Sequence, residues 1–255
     1  MVKDLSPLPP GKKVYFVSDL HLGSPDYSES LKREKLMVKW LESISADAHS
    51  IFFLGDIFDF WFEYKHVIPK GFTRFLGKVS QLADYGIDIY FFVGNHDMWM
   101  FDYFPRELNI PVVKSNMTLK IDGSILLVGH GDGLGQGDTG YKILKKFFSN
   151  PFCQWLFARI HPNLGFRIAN YWSVKSRKSG EKEISHEKDR LLQYCVNLEK
   201  EAHHDYYIFG HRHKPDTYEI SESSTYINLG DWIDNFSYGV YASGRAEIKI
   251  YQGSK

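Results

Sequence analysis

The stretch Ile51-Phe52-Phe53-Leu54-Gly55-Asp56-Ile57-Phe58-Asp59 places a short apolar run directly before a glycine and two aspartates. Four consecutive apolar residues of this kind predict a buried strand. Polar residues that follow such a strand lie at the edge where open α/β sheets keep their active sites. The stretch therefore predicts functional carboxylates at the end of a buried strand.

The same arrangement recurs four more times along the chain. The further apolar runs occupy residues 14–17, 89–93, 125–128 and 206–209. The clusters that follow them are Asp19-Leu20-His21, Gly94-Asn95-His96-Asp97, Gly129-His130-Gly131-Asp132 and Gly210-His211-Arg212-His213. Because the carboxyl ends of such strands meet at one edge, the five clusters predict one shared site in an α/β fold.

The side chains in these clusters are typical metal ligands. Oxygen ligands together with neutral imidazoles suit Mn, Fe, Co or Zn, whereas magnesium and calcium favour mostly oxygen. A single Asp-x-His is usually a turn, so the prediction depends on the five clusters together. Seven ligands are too many for one ion, and we predict two ions that share one bridging carboxylate. The predicted ligands are Asp19, His21, Asp56, Asn95, His130, His211 and His213.

Two segments between the predicted strands have apolar residues at helical spacing. These segments are residues 29–45 and 72–85. Each lies between two strand runs, which is the place of a crossover helix that connects parallel strands. We therefore predict a crossover helix in each of these two segments.

The ordered pattern Asp-x-His, Gly-Asp-x-x-Asp, Gly-Asn-His-Asp, Gly-His-Gly-Asp, Gly-His-x-His resembles that of the calcineurin-like metallophosphoesterases, over residues 14–232. The resemblance implies two stacked mixed β-sheets flanked by helices, an α/β/β/α sandwich. It implies a dinuclear centre for phosphoester hydrolysis with Asp56 as the bridge. One ion would then be bound by Asp19, His21, Asp56 and His213. The other would be bound by Asp56, Asn95, His130 and His211.

The same resemblance implies roles for residues beside the ligands. His96 matches the catalytic histidine of the family, and Asp97 is expected to orient it. Independently of the resemblance, Asp59 is expected to accept a hydrogen bond from the second ring nitrogen of His21, which would fix the tautomer of that ligand; a surface or turn carboxylate is the alternative. Two ions at such a site activate a water nucleophile and clamp the phosphoryl oxygens.

Residues 137–178 interrupt the pattern between the fourth and fifth clusters. This segment has eight Lys or Arg residues against one acid, and nine aromatic residues. A basic, aromatic, helix-permitting insertion beside such a site predicts a lid or an interfacial amphipathic segment that binds acyl chains and anionic groups. The alternative is a helical hairpin that packs on the core or on a second subunit. We therefore expect a core of residues 1–136 and 179–255 with a helical cap of residues 137–178.

Further residues resemble one branch of the family, the UDP-2,3-diacylglucosamine pyrophosphohydrolases of lipid A synthesis. They are Gly55-Asp56-Ile57-Phe58-Asp59-Phe60-Trp61, Asp138-Thr139-Gly140-Tyr141 and Ile168-Ala169. The branch implies cleavage of a pyrophosphate bond to give UMP and 2,3-diacylglucosamine 1-phosphate beneath a helical cap. It implies substrate contacts for Asn95, Trp61 and Tyr141. Manganese is the expected metal, with Fe, Co or Zn as alternatives.

Two other functions stay open at this point. The first is a calcineurin-like phosphoesterase that acts on a soluble nucleotide or on a phosphoprotein. The second is a metal-binding scaffold without catalysis, against which the complete ligand set and His96 argue. A dependence of hydrolysis on acyl chains would separate the lipid substrate from the soluble ones.

Composition limits the partners. The 255 residues carry a formal net charge of zero, which argues against general binding of nucleic acid. Two cysteines, Cys153 and Cys195, fit a reducing compartment. The first residues lack the apolar core of a signal peptide, and no apolar run is long enough to span a membrane. We expect a cytoplasmic enzyme peripherally associated with the inner membrane; the sequence leaves the oligomeric state open.

Overall fold

Two six-stranded β-sheets pack face to face in the computed structural model, which describes residues 1–137, 139–169 and 185–253. Each predicted apolar run is a strand. The strands are β1 (Val2–Asp4), β2 (Lys13–Val17), β3 (Ala48–Leu54), β4 (Asp88–Phe92), β5 (Val112–Val113), β6 (Met117–Ile121), β7 (Ser124–Gly129), β8 (Tyr206–Phe209), β9 (Pro215–Ser221), β10 (Ser224–Leu229), β11 (Ser237–Ala242) and β12 (Arg245–Ile250).

Helices cover the outer faces of the sheets and form the insertion. They are α1 (Tyr27–Ile44), α2 (Thr73–Asp84), α3 (Tyr103–Glu107), α4 (Thr139–Phe148), α5 (Pro151–Phe157), α6 (described over residues 162–169) and α7 (Arg190–Glu199). The predicted crossover helices correspond to α1 and α2, so both predictions are confirmed. Of the expected cap, residues 139–169 form the helices α4 to α6 and their connections, whereas residues 138 and 170–178 lie outside the described ranges.

Both sheets are mixed. The first sheet has the order β12-β11-β2-β3-β4-β5, in which β2 to β5 are parallel and the last two strands of the chain are antiparallel. The second sheet has the order β1-β6-β7-β8-β10-β9, in which β7, β8 and β10 are parallel. Parallel strands of each sheet therefore end at a common edge, and the five polar clusters follow β2, β3, β4, β7 and β8.

Three apolar layers hold the sandwich together. The central layer lies between the sheets and includes Phe16 and Phe52 from the first sheet and Val128 and Ile208 from the second. A second layer packs α1 and α2 on the outer face of the first sheet. A third layer packs α7 on the outer face of the second sheet. The order helix, sheet, sheet, helix confirms the predicted α/β/β/α sandwich.

The insertion docks on the core through aromatic rings. Phe157 of α5 lies 4.8 Å from Phe62 and 4.8 Å from Trp99, measured between ring centroids. Phe166 of α6 meets Phe60 edge to face at 5.0 Å. The indole Nε1 of Trp99 donates a hydrogen bond to the Phe148 carbonyl at the end of α4, at 2.8 Å. These contacts fix the described part of the insertion beside the loop that follows β3.

Candidate metal centre

All seven predicted ligands lie on the loops that follow β2, β3, β4, β7 and β8, and the structure brings them to one edge of the sandwich. Five of them have a positive φ, which is uncommon for residues other than glycine and costs on the order of 1–3 kcal/mol each. They are Asp19 (φ 55°), His21 (φ 44°), Asp56 (φ 52°), His211 (φ 70°) and His213 (φ 55°). Backbone strain of this kind clusters at functional sites, where the surrounding fold maintains it.

The first group of ligand atoms surrounds Asp19. Its Oδ1 lies 3.2 Å from His213 Nε2 and 3.8 Å from His21 Nε2. The two imidazole nitrogens lie 3.3 Å from each other. One ligand atom from each of these three residues falls within 4.8 Å of the others, which is the spacing of a metal-binding group.

The second group surrounds His130. Its Nε2 lies 3.4 Å from Asp56 Oδ2 and 3.2 Å from Asn95 Oδ1. The ring of His211 lies 5.1 Å from that of His130. The same Asp56 Oδ2 lies 3.7 Å from His21 Nε2 in the first group. Asp56 is therefore the carboxylate that lies between the two groups, in the position of a bridge.

These residues fit two divalent cations. The Asp19 carboxylate is completely buried, and its Oδ2 accepts the backbone N–H of His211 at 2.9 Å. Its Oδ1 accepts no hydrogen bond of normal geometry within the described part of the chain and faces the imidazoles of His21 and His213. A buried carboxylate oxygen in this situation is costly unless its charge is paired or binds a metal. Carboxylate, amide and imidazole donors together form the set that borderline transition metals favour.

The glycine before Asn95 is required by the crowding of this edge. A Cβ on Gly94 would collide with the Asp56 carboxylate and with the backbone nitrogen of the same residue. Because that carboxylate lies against the backbone of the loop after β4, any side chain at Gly94 would displace it. The glycine of the Gly-Asn-His-Asp motif therefore makes room for the bridging position.

Each of three histidines has its Nδ1 directed at an oxygen acceptor, which leaves Nε2 to face the site. His21 Nδ1 lies 3.5 Å from Asp59 Oδ1, and His130 Nδ1 lies 2.9 Å from the Leu54 carbonyl. His213 Nδ1 lies 3.6 Å from Asp231 Oδ2. The hydrogen bond to the Leu54 carbonyl fixes the tautomer and the ring orientation of His130, whereas the Asp59 and Asp231 carboxylates lie at ion-pair distance from His21 and His213.

Asp231 is the residue of this set that the sequence analysis missed. It is 4% exposed, and its Oδ1 also accepts the backbone N–H groups of Ile233, Asp234 and Asn235. It follows β10 in a Gly-Asp pair, the same pattern of apolar run, glycine and polar residue that identified the other clusters. That pattern could have found it.

Asp97 has a different position from the one expected. Its carboxylate accepts the backbone N–H groups of Asp56, Ile57, Phe58 and Gly94, at 2.8–3.2 Å. The carboxylate beside the His96 ring is that of Asp59, whose Oδ1 lies 3.8 Å from His96 Nδ1. Asp97 therefore ties the loop after β3 to the loop after β4, and the expected orientation of His96 by Asp97 is absent from these contacts.

The two aromatic residues expected to contact substrate lie in different places. Trp61 is completely buried, and its Nε1 donates to Glu63 Oε1 at 3.0 Å, so its ring belongs to the core and presents no surface to a ligand. Tyr141 on α4 is half-buried, and its hydroxyl donates to Asp132 in the fourth cluster. Only Tyr141 lies beside the metal centre.

The electrostatics of the cluster favour the protonated form of two histidines and oppose that of a third. Although burial opposes the charge, the Asp19 carboxylate raises the pKa of His213 to about 11. In the same way, the Asp56 carboxylate raises the pKa of His130 to about 10 against the effect of burial. Burial and the neighbouring His130 lower the pKa of His211 to about 4. Ligands must be deprotonated to bind a metal, so metal binding at this site has to release protons.

Comparison with known proteins agrees with this geometry. The family model described as calcineurin-like phosphoesterase matches residues 12–215. This chain belongs to the calcineurin-like phosphoesterase family. Its similarity to a UDP-2,3-diacylglucosamine hydrolase of Porphyromonas gingivalis is 39% identity over 90% of this chain and 94% of the relative. Relatives of the same name from Actinobacillus succinogenes and Vibrio parahaemolyticus are 26% and 28% identical, over 86% and 85% of this chain and 92% and 89% of theirs. The family and these relatives identify a metal-dependent hydrolase.

Asp231→Asn should weaken metal binding without unfolding the protein. The amide keeps the size of the side chain and can still accept the backbone N–H groups, but it loses the negative charge beside His213 Nδ1. Loss of such a partner costs about 10–100-fold in metal affinity or activity. The measurement is a titration of the metal-free variant with Mn²⁺ or Zn²⁺. Unchanged affinity would mean that Asp231 only shapes its own turn.

Proposed function

We propose that this chain hydrolyses the pyrophosphate bond of UDP-2,3-diacylglucosamine, to give 2,3-diacylglucosamine 1-phosphate and UMP. The observation that carries the proposal is the 39% identical relative of that name, aligned over nearly the full length of both chains. The two groups of ligand atoms beside Asp19 and His130 support it, because two ions held there would stabilise both the attacking and the leaving oxygen of a phosphoryl displacement.

The ligands divide between two ions in this proposal. Asp19, His21 and His213 hold one ion, Asn95, His130 and His211 hold the other, and Asp56 binds both. We propose manganese, with Fe, Co or Zn as alternatives, since the donor set suits all four. When bound, the ions polarise the phosphoryl oxygens and activate the attacking water.

His96 is the proposed catalytic residue next to the ligands. Its Nδ1 lies 3.1 Å from the Asp59 carbonyl oxygen, to which it donates, so the ring is fixed and Nε2 is directed away from Asp59. Its ring meets that of His21 edge to face at 4.8 Å, which places it beside the first group of ligands. We propose that the doubly protonated ring, with Nδ1–H on the Asp59 carbonyl, hydrogen-bonds the phosphoryl group through Nε2–H and gives that proton to the leaving oxygen, which leaves His96 neutral.

Residues 137–178 are the proposed cap for the acyl chains. The described part carries apolar side chains that are 51–68% exposed, and the same helices carry lysines and arginines. The exposed side chains include Ile143, Phe147, Phe152 and Trp155. Tyr141 and Lys145 connect α4 to Asp132 in the fourth cluster, which supports a cap beside the metal centre. Asn95 and Tyr141 are the substrate contacts that we retain from the sequence analysis.

Ile143→Ser combined with Phe147→Ser should raise KM for the long-chain substrate. The two residues lie one turn apart on α4 and present one exposed apolar surface. Each buried methylene contributes about 0.8 kcal/mol, so the loss of contacts to four methylenes reduces affinity by roughly two powers of ten. The measurement is kcat/KM against substrates of increasing acyl length. Parallel losses for short and long chains would contradict the proposed role of this surface.

The enzyme is proposed to act in the cytoplasm at the inner face of the inner membrane. Within the described residues, no helix combines the length and the hydropathy that crossing a membrane requires. Exposed aromatic residues next to cations, such as Trp155 with Arg159 4.7 Å above its ring, suit the interface of an anionic bilayer. Co-sedimentation with anionic but not with neutral vesicles is the expected result.

The deciding experiment is to incubate the metal-loaded protein with UDP-2,3-diacylglucosamine and to identify the products. UMP and 2,3-diacylglucosamine 1-phosphate in equal amounts are expected, and chelation should abolish both. If the lipid substrate stays intact while a soluble nucleotide or a phosphoprotein is hydrolysed, the alternative function is correct.

A further inference from the structure

A cavity of about 410 Å³ opens beside the metal centre, on the side of His130. Its walls come from the ends of β4 and β5, from the turn before β6, from the loop after β7 and from Lys145 of α4. Sites for small molecules usually measure roughly 300–1,000 Å³ and are mostly apolar with a few placed polar groups. The His130 cavity has this size, and apart from His130 none of the predicted site residues lines it.

We propose that the His130 cavity binds the nucleoside half of the substrate, a pyrimidine nucleoside attached to the phosphate that is cleaved. The inference rests on the proposed function, since it assigns a place to one part of that substrate. It differs from the cap, which is proposed for the acyl chains. Because His130 lines both the cavity and the metal centre, a nucleoside in the cavity would have its phosphate beside the ions.

The floor of the cavity is apolar and rigid. Phe92 and Val113 are 2% and 5% exposed, so they support the floor from the central layer between the sheets and present little surface to a ligand. The accessible apolar surface comes from the half-buried Val93 and Leu134. These two side chains suit contact with the face of a base.

Polar groups line the turn between β5 and β6. Lys114 and Ser115 are exposed, and Asn116 is half-buried. The Asn116 amide oxygen lies against Gly129, where a Cβ would collide with it, and the side chain lies near Tyr194 of α7. The absence of a side chain at Gly129 therefore makes room for the Asn116 amide. Donors and acceptors at the edge of an apolar floor match the carbonyl and imide groups at the edge of a pyrimidine.

The charge at this side of the centre suits a phosphate ester. Among the lining residues that the structure describes, Asp132 is the one acid, and it accepts hydrogen bonds from Lys145 Nζ at 2.6 Å and from the Tyr141 hydroxyl. Its charge is thereby compensated. Lys114 remains as an exposed cation at the same cavity.

Acyl chains are a poorer match for this cavity. Five of the residues that line it have charged or polar side chains besides His130, namely Lys114, Ser115, Asn116, Asp132 and Lys145. Burial of these groups against methylenes would remove water from them without any replacement hydrogen bond. The exposed surface of α4 and α5 offers apolar side chains instead. The two halves of the substrate therefore have separate binding surfaces on either side of the pyrophosphate.

The test compares Ser115→Phe with Ser223→Phe in the full chain. Ser115 lines the cavity in an exposed turn, so a phenyl ring there fills the cavity, whereas Ser223 is exposed in the turn between β9 and β10 and does not line it. Circular dichroism and metal content establish that both variants are folded. The probe is uridine, whose binding is followed by saturation-transfer NMR with and without inorganic phosphate.

The wild-type chain and Ser223→Phe should bind uridine, and inorganic phosphate should not displace it. Ser115→Phe should show no uridine binding. KM for UDP-2,3-diacylglucosamine and the inhibition constant of UMP should both rise at least tenfold in Ser115→Phe and remain unchanged in Ser223→Phe. Lys114→Gln is a second variant. It removes only a positive charge, so it should weaken the binding of UMP, which carries a phosphate, more than the binding of uridine.

The outcomes separate the subsite from the function. The wild-type chain could bind uridine, lose this binding in Ser115→Phe, and yet fail to cleave the lipid substrate. That result would support the nucleoside site in the His130 cavity and overturn the proposed function. If Ser115→Phe cleaves the lipid substrate with unchanged KM and unchanged inhibition by UMP, the His130 cavity does not bind the nucleoside, and the proposed function stands. A rise in KM that depends on acyl length, with UMP inhibition unaltered, would assign the cavity to an acyl chain and also overturn the inference.

Discussion

Asp56→Asn should lose bound metal and nearly all hydrolysis. Asp56 Oδ2 lies 3.4 Å from His130 Nε2 and 3.7 Å from His21 Nε2, so the variant removes one negative charge from both groups of ligands at once. Charge stabilisation by the ions contributes several kcal/mol, which corresponds to at least about a thousandfold in rate. The measurements are the metal content per chain by elemental analysis and the turnover of UDP-2,3-diacylglucosamine.

The amide in Asp56→Asn preserves the shape of the loop. Asp56 Oδ1 accepts the backbone N–H of His96 at 2.8 Å, and the amide oxygen of asparagine can accept the same bond. Asp84→Asn, at the exposed end of α2, is the matched control and should keep both metal and rate. Two ions per chain and wild-type turnover in Asp56→Asn would refute the shared carboxylate.

The fold could be predicted because its strands are continuous apolar runs. Ile51-Phe52-Phe53-Leu54 has no alternation, since both of its faces are buried, one between the sheets and one under the helices. A strand of this type in a parallel sheet fixes where the following polar residues lie. For this reason the positions of Asp19, His130 and His211 at one edge follow from the sequence.

The contacts of Asp97 and Trp61 could not be predicted in this way. Asp97 accepts four backbone N–H groups from two loops, and the directions of backbone groups in a loop leave no trace in the residue pattern. Trp61 lies in a strongly aromatic segment, but its burial depends on Phe58, Tyr103 and Phe104, which pack against it from several directions. The closeness of Trp61 to Asp59 in the sequence does not show on which side of the loop the Trp61 ring lies.

Asp59 links the ligands to the catalytic residue. Its carboxylate lies 3.5 Å from His21 Nδ1 and 3.8 Å from His96 Nδ1, while its backbone carbonyl accepts from His96. One residue therefore positions a proposed ligand and the proposed catalytic histidine together. The sequence analysis anticipated only the contact of Asp59 with His21. The spacing of residues along the chain does not show that Asp59 also lies beside the ring of His96.

This arrangement makes the metal content of a His96 variant informative. One ligand atom from each of His21, Asp59 and His96 lies within 4.8 Å of the others, so His96 belongs to a third group with the spacing of a metal site. In the proposed function His96 instead acts on the leaving oxygen and binds no ion. The two roles predict the same loss of activity and opposite metal contents.

His96→Ala should keep both ions and reduce turnover by about two to four powers of ten, which is the contribution of a positioned general acid or base. His203→Ala is the matched control, because His203 is exposed and lies before β8, at the edge of the second sheet opposite to the metal centre. That control should retain both metal and rate. If the metal content of His96→Ala falls together with its turnover, His96 is a ligand, and the proton for the leaving group must come from elsewhere.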